Sequence, residues 1–101
     1  MNYNLAHVPT LNAHLPSLYT LPSPAAINIL KPDDSVQAAF VFGEQEEVEL
    51  MWIKIRTRGD GNIEGTLLNT PVNAAAEVAC GDTIVLEDSN IIACLYASEF
   101  E

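Results

Sequence analysis

One stretch constrains the fold more than any other: Glu47 to Asn69, EVELMWIKIRTRGDGNIEGTLLN. Apolar residues fall on even positions at Val48, Leu50 and Trp52, then on odd positions at Met51, Ile53 and Ile55. Alternation at period two marks a β-strand with one face buried. A change of phase inside the run predicts a β-bulge, or a bend covered on both faces, at Met51-Trp52-Ile53. Gly59-Asp60-Gly61 then reverses the chain.

Two registers compete for this hairpin. A two-residue Asp-Gly turn pairs Arg58 with Ile63 and Lys54 with Leu67, which mixes charges with aliphatics. A three-residue loop with Gly61 left-handed pairs Thr57 with Ile63, Ile55 with Gly65 and Ile53 with Leu67, and sets Arg56 opposite Glu64. Consistent burial and opposite charges favour the second. Gly65 opposite Ile55 then predicts a kink or close packing inside the hairpin.

The remaining punctuation extends the pattern. Ser23-Pro24 opens a short helix through Leu30, with Ser as cap and Pro at the first helical position. Lys31-Pro32 stops it. Pro32 to Ser35 reads as a turn, and Val36, Ala38, Phe40 and Phe42 alternate as a strand. After the hairpin, residues 72–79 fit a loop or a single turn. Cys80-Gly81-Asp82 and Glu87-Asp88-Ser89 are turns around the strand Thr83–Leu86, and a last strand runs from Asn90 to Tyr96. The fold class is therefore mainly β: a small five-stranded bent antiparallel sheet or barrel, with one short helix and an extended N-terminal arm. The arm occupies residues 1–22 and a single β-rich domain residues 23–101. The arm carries the quasi-repeat AHVPTL, AHLPSL, whose prolines favour extended backbone. It is expected to lie on its own sheet or on another subunit.

Charge narrows the partners. Fourteen acidic against four basic residues give a net charge of −10. Such a surface repels phosphate backbones and anionic membranes and attracts basic proteins. No apolar run approaches the roughly 20 residues of a membrane span. The first residues lack the basic and apolar regions of an export signal, so the cytoplasm is the expected compartment. Cys80 and Cys94 read as free thiols there. With His7 and His14 they do not reproduce a zinc-ligand spacing, and no cofactor is expected.

Four spaced motifs carry a family resemblance. They are Leu30-Lys31-Pro32-Asp33-Asp34, Glu49 to Ile55 around Met51-Trp52, Gly65-Thr66-Leu67-Leu68-Asn69-Thr70-Pro71, and Gly81-Asp82-Thr83-Ile84 with a closing Ile91. In this order, over about residues 22–96, they resemble the YegJ-like bacterial family of unknown function. Asp33 stands where that family's pattern has glycine. The resemblance implies a β-rich fold and supplies no catalytic residue.

No nucleophile elbow, phosphate loop, dinucleotide fingerprint or metal-binding histidine pair occurs. The expectation is a non-enzymatic acidic binding module that inhibits or neutralises a partner protein, of the immunity or phage anti-defence type. Its candidate partner-binding residues are Glu44, Glu46, Glu47 and Glu49, with Tyr3 and Tyr19 of the arm. The alternative is an oligomeric protein that sequesters an anionic small molecule such as a signalling nucleotide. For that reading Trp52, Lys54, Arg56 and Arg58 are the candidate ligand-binding residues.

Overall fold

The computed structural model describes residues 3–8, 22–42, 47–72 and 77–97. They form a mainly β structure, an antiparallel sheet curled into a half-barrel. Its elements are β1 (Tyr3–Leu5), a short helix α1 (Pro24–Asn28), β2 (Ser35–Phe42), β3 (Glu47–Arg58), β4 (Asn62–Leu67), β5 (Thr83–Glu87) and β6 (Ile91–Leu95). The five strands expected from the sequence are β2 to β6. The sixth, β1, comes from the arm.

Strand order explains the curl. The sheet runs β1-β2-β3-β4-β5, and β6 also pairs with β2. β2 thus shares its outer edge between two strands: β6 takes residues 35–38 and β1 takes residues 40–42. Yet β5 and β6, at opposite ends of this order, are joined by only the 3-10 turn Asp88–Asn90. Four Cα–Cα steps span at most about 14 Å. The two ends of the sheet must therefore approach each other, which gives the half-barrel its curl.

Alternation fills the inside of the curl. Phe40, Met51, Ile53, Ile63, Ile84 and Leu86 are fully buried there, and Tyr3 tilts against Phe40 with ring centroids 5.0 Å apart. Each large aliphatic withdrawn from water contributes about 1.5–3 kcal/mol. Leu30, just past α1, caps one end of this core. α1 forms as its sequence predicts: Pro24 occupies the first turn and the Ala26 N–H donates to Ser23 Oγ at 3.1 Å.

The hairpin combines the two competing registers. Ile53 faces Leu67 and Ile55 faces Gly65, as burial requires. Arg58 nevertheless faces Ile63, and the Gly59 N–H donates to the Asn62 carbonyl, so Asp60-Gly61 is a two-residue turn with Gly61 at φ +76°. A bulge between Ile55 and Thr57 absorbs the difference. Two expectations are corrected here. The bulge lies at Arg56, not at Met51-Trp52-Ile53, where pairing with β2 is unbroken. Arg56 does not face Glu64; Thr57 does. The phase change instead records a strand whose two faces are both apolar near Trp52.

Two backbone sites carry measurable consequences. A Cβ built on Gly65 would meet the Lys54 carbonyl oxygen at 2.4 Å and Ile53 Cγ2 at 2.6 Å, while one on Gly59 meets nothing within 4 Å. Gly65→Ala is expected to destabilise by about 1–3 kcal/mol through overpacking against backbone. That lowers Tm by roughly 4–8 °C per kcal/mol, with Gly59→Ala as the near-neutral control. The second site is Asp33, at φ +79° in the turn closed by Asp34 N–H to Lys31 O at 3.1 Å. Pro32 and Asp33 are its central residues, and the second of them requires positive φ. Asp33→Gly is expected to raise stability by about 0.5–1 kcal/mol in thermal melts, since only an exposed 3.8 Å pair with Lys54 is lost. A fall in Tm would contradict this reading of the turn.

Candidate functional site

The outer face of the sheet divides into two halves. Over β4 and β5 it is mostly polar, with Lys54, Thr66 and Thr83 in one cross-strand row beside an exposed Val85. Over β2 and the first half of β3 it is apolar. Val41 pairs with Val48, Ala39 with Leu50, and Gln37 with Trp52. Leu68 continues the last row, since its N–H donates to the Trp52 carbonyl at 2.9 Å. On the far side of β2, Val8 and Ile92 cover Ala39 completely. On the β3 side the strip stays open: Val48 is 58% exposed, Leu50 40% and Leu68 47%. Glu47 and Glu49 alternate with Val48 and Leu50 along the same strand.

The backbone of this segment is half paired. Phe40 and Ala38 of β2 face Glu49 and Met51, and the hydrogen bonds of Ile55 to residues 33 and 34 fix which groups point that way. Odd residues of β3 thus turn their N–H and C=O towards β2, and even residues turn theirs away. β4 meets the even residues only as far as Leu67 opposite Ile53. Trp52 is closed off next: its N–H donates to Asn69 Oδ1 at 2.5 Å and its carbonyl accepts from Leu68. Beyond it β3 overhangs. Among the described residues, nothing pairs with the outward N–H and C=O of Val48 and Leu50.

The proposed cationic row does not stay together. Lys54 is exposed and lies 3.8 Å from Asp33. Arg56, the bulge residue, reaches Thr83 Oγ1 at 3.4 Å. The bulge turns Arg58 to the inner side, in register with buried Ile63. There it donates to both oxygens of Asp88, at 2.5 and 3.3 Å, and to the Ile27 carbonyl at 3.2 Å. Its guanidinium ties the hairpin end, α1 and the β5–β6 turn together. Trp52 is half-buried, in a row with Gln37 and Leu68.

Other candidates lie elsewhere. Tyr3 packs on Phe40 and Phe42 at the rim of the core, and burial followed by the charge of Asp82 raises its phenol pKa. Glu44, Glu46, Tyr19 and His14 lie outside the described residues. Both cysteines are free thiols; Cys80 is exposed, and burial first of all raises the pKa of Cys94. No group of three metal-binding side chains forms among the described residues. No helix among them is long and apolar enough to cross a membrane.

A cleft of about 290 Å³ lies between α1, Val8 and the Asp88–Asn90 turn, walled by Pro24, Ile27 and Ile91. Asp88 borders it while bound to Arg58. The sequence places Asp88, Asn69 and Asp34 in turns and does not show the bonds they make. Asp34 is buried, its Oδ1 accepting from Ala97 N–H at 2.8 Å and its Oδ2 from Lys31 N–H at 3.1 Å. Each reads as an ordinary turn residue in sequence, because Ala97, Trp52 and Arg58, which Asp34, Asn69 and Asp88 bind, are distant along the chain.

Comparison with known proteins adds one finding. No curated protein and no solved structure matches the chain. Residues 24–101, which hold α1 and strands β2 to β6, match the family described as uncharacterized protein conserved in bacteria (DUF2314). The chain belongs to that bacterial DUF2314 family of unknown function.

Proposed function

We propose that this chain, YegJ-like by its four motifs, is a non-enzymatic acidic binding module that docks on a basic partner protein and neutralises it. The observation that carries the reading is the open apolar strip of Val48, Leu50 and Leu68 on the outer face, with Glu47 and Glu49 on the opposite face of the same strand edge. An apolar patch bordered by charge is the usual anatomy of a protein interface. A net charge of −10 steers a basic partner towards it and repels nucleic acid. Immunity and phage anti-defence proteins are an analogy of size and charge. The cytoplasm is the compartment in which free thiols and such a partner would meet.

The alternative, an oligomer that sequesters an anionic small molecule, draws less support. Its cations point three ways, and Arg58 is committed to Asp88 and Ile27.

Affinity capture from bacterial lysate tests the proposal. Wild type is expected to retain a basic protein at low salt and to release it at high salt. Val48→Ser combined with Leu50→Ser is expected to reduce that capture at least fivefold. Stability should stay within about 0.5 kcal/mol of wild type, because both side chains are exposed. Undiminished capture by the double variant, or no salt-sensitive partner, would overturn the proposal.

A further inference from the structure

The partner's form can be read from the overhang of β3. We infer that the segment Glu47–Leu50 is a strand-addition site, taking an extended partner segment in which apolar residues alternate with lysine or arginine. This rests on the binding-module reading above and specifies how its partner docks.

Three features of the same four residues converge. First, the outward N–H and C=O of Val48 and Leu50 meet no described residue, while the odd residues beside them are held by β2. A segment laid along this edge gains up to four backbone hydrogen bonds in a geometry already fixed by β2. Second, Val48 and Leu50 extend an exposed apolar strip from that edge over the outer face. Alternate side chains of an added strand fall on this face and cover them. Third, Glu47 and Glu49 occupy the opposite face at the same edge, with Glu49 Oε2 accepting the Val72 N–H at 2.8 Å. The other half of the added side chains falls beside these carboxylates, where Lys or Arg is favoured. Period two in the partner thus follows from period two in β3.

Charge also selects the occupant. A second copy of this chain would bring Glu47 and Glu49 against another acidic edge, and like charges directly opposite are unfavourable. A basic segment gains where a second copy loses. The edge along β5 is poorer, because the Glu87 N–H is already taken by Asn90 Oδ1 at 2.8 Å.

The test titrates the ¹⁵N-labelled full chain with three synthetic heptapeptides. One alternates Lys and Val, one alternates Glu and Val, and one is the Lys-Val peptide N-methylated along one edge. The Lys-Val peptide is expected to shift the Val48 and Leu50 amides and to slow their hydrogen exchange at least tenfold. The Glu-Val and N-methylated peptides should not do so. Leu50→Pro removes an N–H that points away from β2; it should abolish the effect while the fold, followed by the remaining amides, persists. Binding of the N-methylated peptide equal to that of the parent, or shifts confined to other residues, would overturn strand addition. Concentration-dependent protection of Val48 and Leu50 without peptide would overturn it in favour of self-pairing. Loss of lysate capture in the double serine variant but not in Leu50→Pro would refute strand addition alone and leave the binding-module reading standing. Retention of capture by both would refute both.

Discussion

The structure depends on one closure. β5 and β6 sit at opposite ends of the sheet order, and three residues join them. Chain connectivity alone therefore forces the curl, and side chains fix it in place. Arg58 grips Asp88 within that joining turn and the carbonyl of Ile27 beside it. The Tyr96 hydroxyl donates to Ala26 O at 2.7 Å, and Asn90 Nδ2 donates to Ala6 O at 3.1 Å. The charged Arg58 bonds contribute about 1.5–3 kcal/mol each, and the two neutral ones about 0.5–1.5 kcal/mol each. They substitute for the ladder that a fully closed barrel would have between its first and last strands.

Closure gives the two faces of the sheet different fates. The inward aliphatics of β2 to β5 are packed, down to a glycine where no Cβ fits. The outward residues of β3 meet two environments. Near the hairpin tip they are charged and solvated. Near Trp52 and below they are aliphatic, and β4 has already ended. Natural sheets seldom leave an apolar edge uncovered, because it invites pairing with another chain. Under the proposal above, the carboxylates that alternate along this edge disfavour a second copy and suit a basic partner.

Much of this was legible in the sequence, for reasons that are local. Period-two alternation marked β2, β3 and β5, and the Ser-Pro pair marked α1 down to its cap. Gly65 opposite Ile55 followed from burial, and the close packing expected there is present. The bulge at Arg56 was not legible. It arises because the Asp60-Gly61 turn and the aliphatic register differ by one residue, and neither demand alone reveals the compromise. For the same reason the lysine–arginine row looked continuous: Lys54, Arg56 and Arg58 share a face only in an unbulged strand. Asp34, Asn69 and Asp88 were hidden because each satisfies groups that only the fold brings near. Asp33 takes a positive φ that the sequence reading did not foresee.

Amide hydrogen exchange on the isolated protein tests the central claim most directly, because it reads β3 one residue at a time. The account predicts a sawtooth. The N–H groups of Glu49 and Met51, bonded to β2, should exchange about a hundredfold more slowly than those of Val48 and Leu50, which face the open side. Equal protection at all four positions would mean that the strand is covered on both edges, and the open edge proposed as the docking site would not exist.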